Sequence, residues 1–214
     1  MRISKPTRGF MKYSHRNIHS DAGFSLAEFL LSTVILLMIS AAVFRMMAET
    51  QRASSYQTEV HAVMDNTRIA MDTIERYIRQ AGNNPSNLVF EGVQPGVDSS
   101  TLRLVSNLTG SVSSDQGDPD NDTNDSGEDV TFTYSSSSRS ITMTPQGGAA
   151  QQIANYISAL TFEYFNAAGN PETIGANVLK IRVTISGASL LAHPQTGKTF
   201  GQTLSSDVQI SSRL

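Results

Sequence analysis

The sequence predicts an α+β protein: one long N-terminal helix, membrane-spanning in its first half, packed through its second half on a small antiparallel β-sheet. Three observations carry that prediction. Residues 24–44 read FSLAEFLLSTVILLMISAAVF, an apolar run with a single charge, Glu28. No glycine or proline occurs between Phe24 and Ala81, so nothing local stops a helix over that stretch. After Pro85 the apolar residues alternate with a period of two, the pattern of half-buried strands.

Composition excludes several classes. Of the 214 residues 39% are hydrophobic and only 16% are charged, against about 25% in an ordinary soluble protein. There is no cysteine, which removes disulfide scaffolds, thiolate metal sites and cysteine nucleophiles. The net charge of -3 is unevenly spread. Arg2, Lys5, Arg8, Lys12 and Arg16 face Asp21 alone in the first 23 residues, while the remainder holds 11 basic and 18 acidic residues. An acidic body of this kind is not a nucleic-acid-binding surface, and no nucleic-acid partner is predicted.

Residues 1–23 form the basic leader. The apolar segment 24–44 would span roughly 32 Å as a helix, about one bilayer core. Basic residues ahead of it predict a cytoplasmic N-terminus and a body on the other side of the membrane. Three kinds of segment have this appearance. One is a signal peptide cut near Ser40-Ala41-Ala42, releasing a soluble binding protein. Another is a plain signal anchor. The third is a signal cut ahead of the apolar run, which then stays in the mature chain. Glu28 bears on the choice, because a carboxylate inside an apolar span is costly and signals function. No lysine or arginine lies between it and Arg45. A free amine on Phe24, its own or a neighbouring subunit's, would supply a partner; the plainer alternative is contact with water at the membrane interface.

Residues 45–82 continue the helix with one apolar face. Val60, Val63, Met64, Thr67, Met71, Ile74 and Ile78 follow three-and-four spacing. Glu59, Asp65, Asp72, Arg76 and Arg79 fall largely away from that face. Asp72 with Arg76 and Glu75 with Arg79 are acid-to-base pairs four residues apart. Gly82 followed by Asn83-Asn84-Pro85 is a strong stop. The whole helix would be roughly 87 Å long if unbroken.

Residues 83–214 read as the sheet domain. Leu102 and Leu104 alternate, as do Val130, Phe132 and Tyr134. Ile141 and Met143 then follow a serine-rich hairpin turn at residues 135–138. A strand from Tyr156 to Phe165 leads into a turn at residues 166–170. Leu179, Ile181, Val183 and Ile185 form one strand face, and Leu204, Val208 and Ile210 suggest a last strand. Within this domain, residues 114–129 hold seven acids and no base: Asp115, Asp118, Asp120, Asp122, Asp125, Glu128 and Asp129. In an EF-hand register Asp118, Asp120, Asp122, Asn124, Ser126 and Asp129 take positions 1, 3, 5, 7, 9 and 12. Thr123 stands where the motif has glycine, and Asp129 where it has glutamate. Calcium on this loop is the one ligand suggested, against a plain solvated loop; no other cofactor is predicted.

No enzyme signature emerges. Residues 192–199, AHPQTGKT, look like a phosphate loop, but Ala192 replaces the first glycine and no helix is predicted next. Gly187-Ala188-Ser189 lacks the second glycine of a nucleophile elbow. His15, His19, His61 and His193 do not cluster.

The residues Ala22-Gly23-Phe24-Ser25-Leu26-Ala27-Glu28-Phe29 resemble the prepilin peptidase signal of type IV pilins and type II secretion pseudopilins. In that family a basic leader ends in glycine, cleavage leaves an N-methylated phenylalanine, and a glutamate four residues on begins an apolar helix. The resemblance implies processing at Gly23 and Phe24, and subunit assembly through Phe24 and Glu28. Gly9-Phe10 is followed by Lys12, Tyr13 and His15 and cannot serve the same purpose. A start at Met11 would leave a leader of more usual length. Ile74-Glu75-Arg76-Tyr77-Ile78-Arg79-Gln80-Ala81-Gly82 is similar to PilW-type minor pilins and, more weakly, to J-type pseudopilins. Many major pilins carry a kinking proline where this chain has Arg45. The resemblance therefore implies a pilin-like fold and a minor pilin in the priming or tip complex of a type IV pilus. A pseudopilin of a secretion system is the alternative. It also implies as partners other major and minor pilins, the prepilin peptidase, an inner-membrane assembly platform and membrane lipid.

Overall fold

A computed structural model describes residues 25–110 and 118–213. The chain divides into two compact units, Met1–Met47 and Ala48–Leu214. One helix, α1 (Leu26–Gln80, 55 residues), contributes to both. It begins two residues later than the apolar run because Ser25 caps it. The Ser25 Oγ accepts the amide of Glu28 (3.2 Å), and Glu28 Oε2 accepts the amide of Ser25 (3.1 Å). This reciprocal arrangement is a capping box. The helix ends as its sequence requires, at Gly82 with φ +73°, a conformation that costs a side-chain-bearing residue energy.

In the first unit the apolar side chains of α1 face outward all round. Leu26, Phe29, Leu31, Leu36, Met38 and Phe44 are among the exposed ones. In the second unit the buried positions are Glu59, Val63, Thr67, Ala70, Met71, Ile74 and Ile78, one helical stripe. Met64, expected on that stripe, is exposed. Of the two expected acid–base pairs, only Glu75–Arg79 closes among the described residues, at 2.7 Å. The Arg76 guanidinium instead lies 5.6 Å from the centre of the Tyr77 ring.

The strands are all antiparallel, but they form two sheets where one was expected. The first is a meander of β1 (Val93–Pro95), β2 (Thr101–Val105), β3 (Asp129–Ser135), β4 (Ser140–Pro145) and β5 (Gln151–Ala154). The second is β6 (Ile157–Phe165), β7 (Lys180–Ala192) and β8 (Thr199–Gln209). The break falls at Tyr156, whose φ of +60° turns the chain out of the ladder between β5 and β6. Individual bonds then stitch the sheets: the Phe162 amide donates to Ser99 O (2.7 Å) and Arg139 Nη2 to Ala188 O (2.6 Å). The core lies between α1 and both sheets. It contains Ile74 and Ile78 with Leu102, Leu104 and Phe132 from one sheet and Ile181, Val183 and Ile185 from the other, all 2% exposed or less. Each such side chain contributes about 1.5–3 kcal/mol by leaving water.

Helix and β7 approach closely at Gly187. A Cβ there would lie 2.5 Å from Thr67 Oγ1 and 2.9 Å from a Val63 methyl. Beyond it β7 bulges, since Ala188 pairs with Gly201 but Ala192 pairs with Thr199. Residues 189–191 therefore face Phe200 alone, and Glu59 takes up amides this leaves over. Its carboxylate accepts the Leu190 amide and, through Oε2, the Leu191 amide at 3.1 Å. The expectation that Glu59 points away from the packed face is thus corrected: it is 8% exposed, held inward by two backbone donors. Glu59→Ala leaves both donors unsatisfied and is expected to cost about 2–3 kcal/mol, read as a lower urea midpoint. Glu59→Gln, which keeps an acceptor, should lose less.

Candidate functional site

Two places carry the chemistry singled out in the sequence. At the N-terminus, Gly23 and Phe24 lie outside the described residues. Glu28 stands in the first turn of α1, exposed, with the Ser25 amide as partner. The carboxylate is therefore held at the start of the apolar stretch, where it also opposes the positive end of the helix dipole. The helix passes Arg45 without interruption.

The second place is the loop between β2 and β3. The EF-hand register is only partly kept. Asp129, expected at position 12, is the first residue of β3, and Arg103 on β2 claims it. Arg103 Nε donates to Oδ1 (2.8 Å) and Nη2 to Oδ2 (2.5 Å). The two are diagonal cross-strand neighbours, two residues off the Val105–Asp129 pairing, and the same hydrogen bond pushes the Arg103 pKa further up. A carboxylate held by both oxygens in this way is not available as a terminal metal ligand, so that assignment is corrected. Asp118 and Asn124 are exposed and stand outside the carboxylate group that does form. That group comprises Asp120, Asp122 and Asp125, with one oxygen from each within 4.8 Å of the others. Asp122 Oδ1 accepts the Asn124 amide (2.9 Å), and Asp120 Oδ1 the Asp122 amide (2.9 Å).

Two further side chains meet this loop. Asn107, which follows β2, is fully buried and donates from Nδ2 to the carbonyl of Asp120 at 2.7 Å. Glu128 is 1% exposed. Its Oε1 accepts the amides of Leu108 (2.5 Å) and Thr109 (2.8 Å). Sequence reading missed Asn107 altogether and placed Glu128 only among the loop acids. A lone asparagine beyond a strand carries no signal of its own.

The phosphate-loop look-alike forms the tip of the β7–β8 hairpin and, as expected, no helix follows. Its turn closes through the His193 amide to Lys198 O (2.8 Å) and the Gly197 amide to His193 O (2.9 Å). His193 Nδ1 accepts the amides of Gln195 and Thr196, and its ring meets Tyr56 edge-on at 5.2 Å. Together with Glu49, Arg52 and Gln57 they line a shallow groove of about 360 Å³. His61 is exposed on α1.

The outer face of the second sheet carries a charge cluster. Arg182 and Lys180 both bind Asp207, at 2.6 and 3.1 Å, and lie 5.3 and 4.9 Å from the Phe165 ring centre. The hydrogen bonds from Arg182 and then Lys180 lower the Asp207 pKa to about 2. The stabilisation is therefore present above about pH 4 and fades as pH falls through about 2. Solvent keeps it small.

No protein-family model matches the chain, and no curated protein matches it. What fold and sites define is a class: an α+β protein whose one N-terminal helix among the described residues is long and apolar enough to cross a membrane.

Proposed function

We propose that the chain is a minor-pilin-like subunit of a type IV filament. In this reading it is a structural and assembly component, not an enzyme. Its N-terminus is cytoplasmic, its apolar helix is stored in the inner membrane, and its second unit lies outside. The observation that carries the reading is the unequal burial of α1. One part buries a stripe under two sheets, while the part in the first unit exposes apolar side chains on every side. Such a surface calls for lipid or for the helices of other subunits. The prepilin-like step at Gly23 and Phe24 supplies a means of exposing the helix end, and Glu28 a charge for pairing with an amine.

The experiment is mass spectrometry of the mature N-terminus. It is expected to give a chain beginning with N-methylated Phe24, and Gly23→Arg should leave the longer precursor in the membrane. A soluble product beginning near Val43 would sink the proposal in favour of an ordinary exported protein.

A further inference from the structure

We infer that the two grooves beside Arg52, between α1 and the β7–β8 tip, bind the anionic headgroup of a membrane phospholipid. The inference rests on the reading of α1 as a membrane anchor, not on the filament. Its first support is a set of donors without acceptors. Arg52, Tyr56 and His193 line the groove of about 360 Å³. Among the described residues Arg52 has no ion-pair partner and the Tyr56 hydroxyl no hydrogen bond. His193 Nδ1 accepts two amides, so the neutral ring carries its proton on Nε2, and that N–H also lacks a partner among the described residues. Lys198, whose carbonyl takes the His193 amide, stands beside them with no ion pair among the described residues. Glu49 is the one acid in the lining, and it already has a partner. Convergent donors, two of them cationic, suit an oxyanion. They stand out in a chain that, beyond residue 23, holds 11 basic and 18 acidic residues.

The second support selects a lipid over a free phosphate. A groove of about 670 Å³ shares Arg52 and Pro194 with the first and adds Ala48, Leu191 and Ala192 beside Gln51 and Ser55. Leu191 is 45% exposed. Arg52 and Pro194 therefore separate a donor-lined groove from one walled largely by apolar side chains. A free phosphate uses only the first. A phosphate esterified to glycerol and acyl chains uses both.

The third support is position along α1. Arg52 follows Phe44, the end of the apolar run, by eight residues on one unbroken helix. Helical side chains lean toward the N-terminus, and an arginine stem lies along apolar surface while its head seeks water or phosphate. Each cation close to an anionic lipid surface strengthens attachment about fivefold.

The test uses the full-length protein in a non-ionic detergent. The chain has no cysteine, so Thr196→Cys at the exposed tip takes a single environment-sensitive dye. Dihexanoylphosphatidylglycerol is expected to give a saturable change in its fluorescence. Glycerol 3-phosphate, which offers the phosphate without the chains, and dihexanoylphosphatidylcholine, which offers the chains without net charge, should each bind at least tenfold more weakly. Arg52→Gln with Lys198→Gln should weaken phosphatidylglycerol binding at least tenfold and leave Tm unchanged, since both side chains are exposed. Arg68→Gln, an exposed cation of α1 outside both grooves, should bind as the parent does. Equal binding of glycerol 3-phosphate would make this a site for a soluble phosphate ester and overturn the proposal. Equal binding of phosphatidylcholine, a response that never saturates, or unchanged binding by the double variant would overturn it too. A mature N-terminus near Val43 would remove the anchor yet leave every groove residue in place, so failure of the membrane reading and failure of this site are separate results.

Discussion

Gly92→Val is expected to leave no stably folded protein, and Gly92→Ala to cost more than about 3 kcal/mol. A Cβ at this position would stand 2.3 Å from Gly82 Cα and 2.4 Å from Gly82 N. Three segments cross there. The Gly82 amide, just past the end of α1, donates to Val105 O (2.8 Å), and the Val105 amide at the end of β2 donates to Gly92 O (2.9 Å). Overpacking against side chains costs about 1–3 kcal/mol because rotamers adjust. Backbone atoms cannot rotate away, so the seam must open by about 1 Å and lose these bonds. Gly201→Ala is the control: the nearest atom to its Cβ is Gly187 O at 3.9 Å, and the change should be neutral or stabilise by about 0.5–1 kcal/mol. Urea denaturation and limited proteolysis of the detergent-solubilised protein measure both. A Gly92→Ala protein as resistant as its parent would mean that the seam is not as tight as described.

Glu28 gives the second large effect, and the structure sharpens how to read it. Glu28→Ala removes both the charge and half of the capping box with Ser25. Glu28→Gln removes only the charge, because glutamine also serves at this position of the box. If the proposed function holds and the carboxylate neutralises a subunit amine, both variants should insert and be cleaved yet enter filaments at least tenfold less. Leaving a buried charge without its partner costs about 3–5 kcal/mol. Insertion itself should not suffer, since a carboxylate is removed from an apolar span. The measurement is the ratio of filament-borne to membrane-borne protein. Normal incorporation of Glu28→Gln would reduce Glu28 to a helix cap.

The elements the sequence predicts well are those whose causes are local. The helix expected over residues 24–81 is found as Leu26–Gln80, because apolarity, the lack of breakers and the glycine stop all act within a turn or two. The hairpin of β3 and β4 and the turn at residues 166–170 likewise follow from residues close in sequence. β1 and β5 escaped because each is only three or four residues long, too short to show alternation. The candidate site divides in the same way. The acidic loop is plain in composition, but which acids converge is not, since Asp129 is removed by an arginine 26 residues away.

The sequence by itself determined the fold class, a helix apolar all round at one end and striped at the other, antiparallel strands after it, and one acidic loop. Each follows from the periodicity with which neighbouring residues meet water or a packed face. Only the tertiary structure decided that the strands split into two sheets at Tyr156, that Glu59 turns inward, that Gly92 must lack a side chain, and that Asp125 joins Asp120 and Asp122 while Asp129 does not. These features depend on pairing between residues far apart in the chain, where a donor left over by a bulge or a base on a neighbouring strand selects its partner by proximity, and no pattern along the chain encodes proximity.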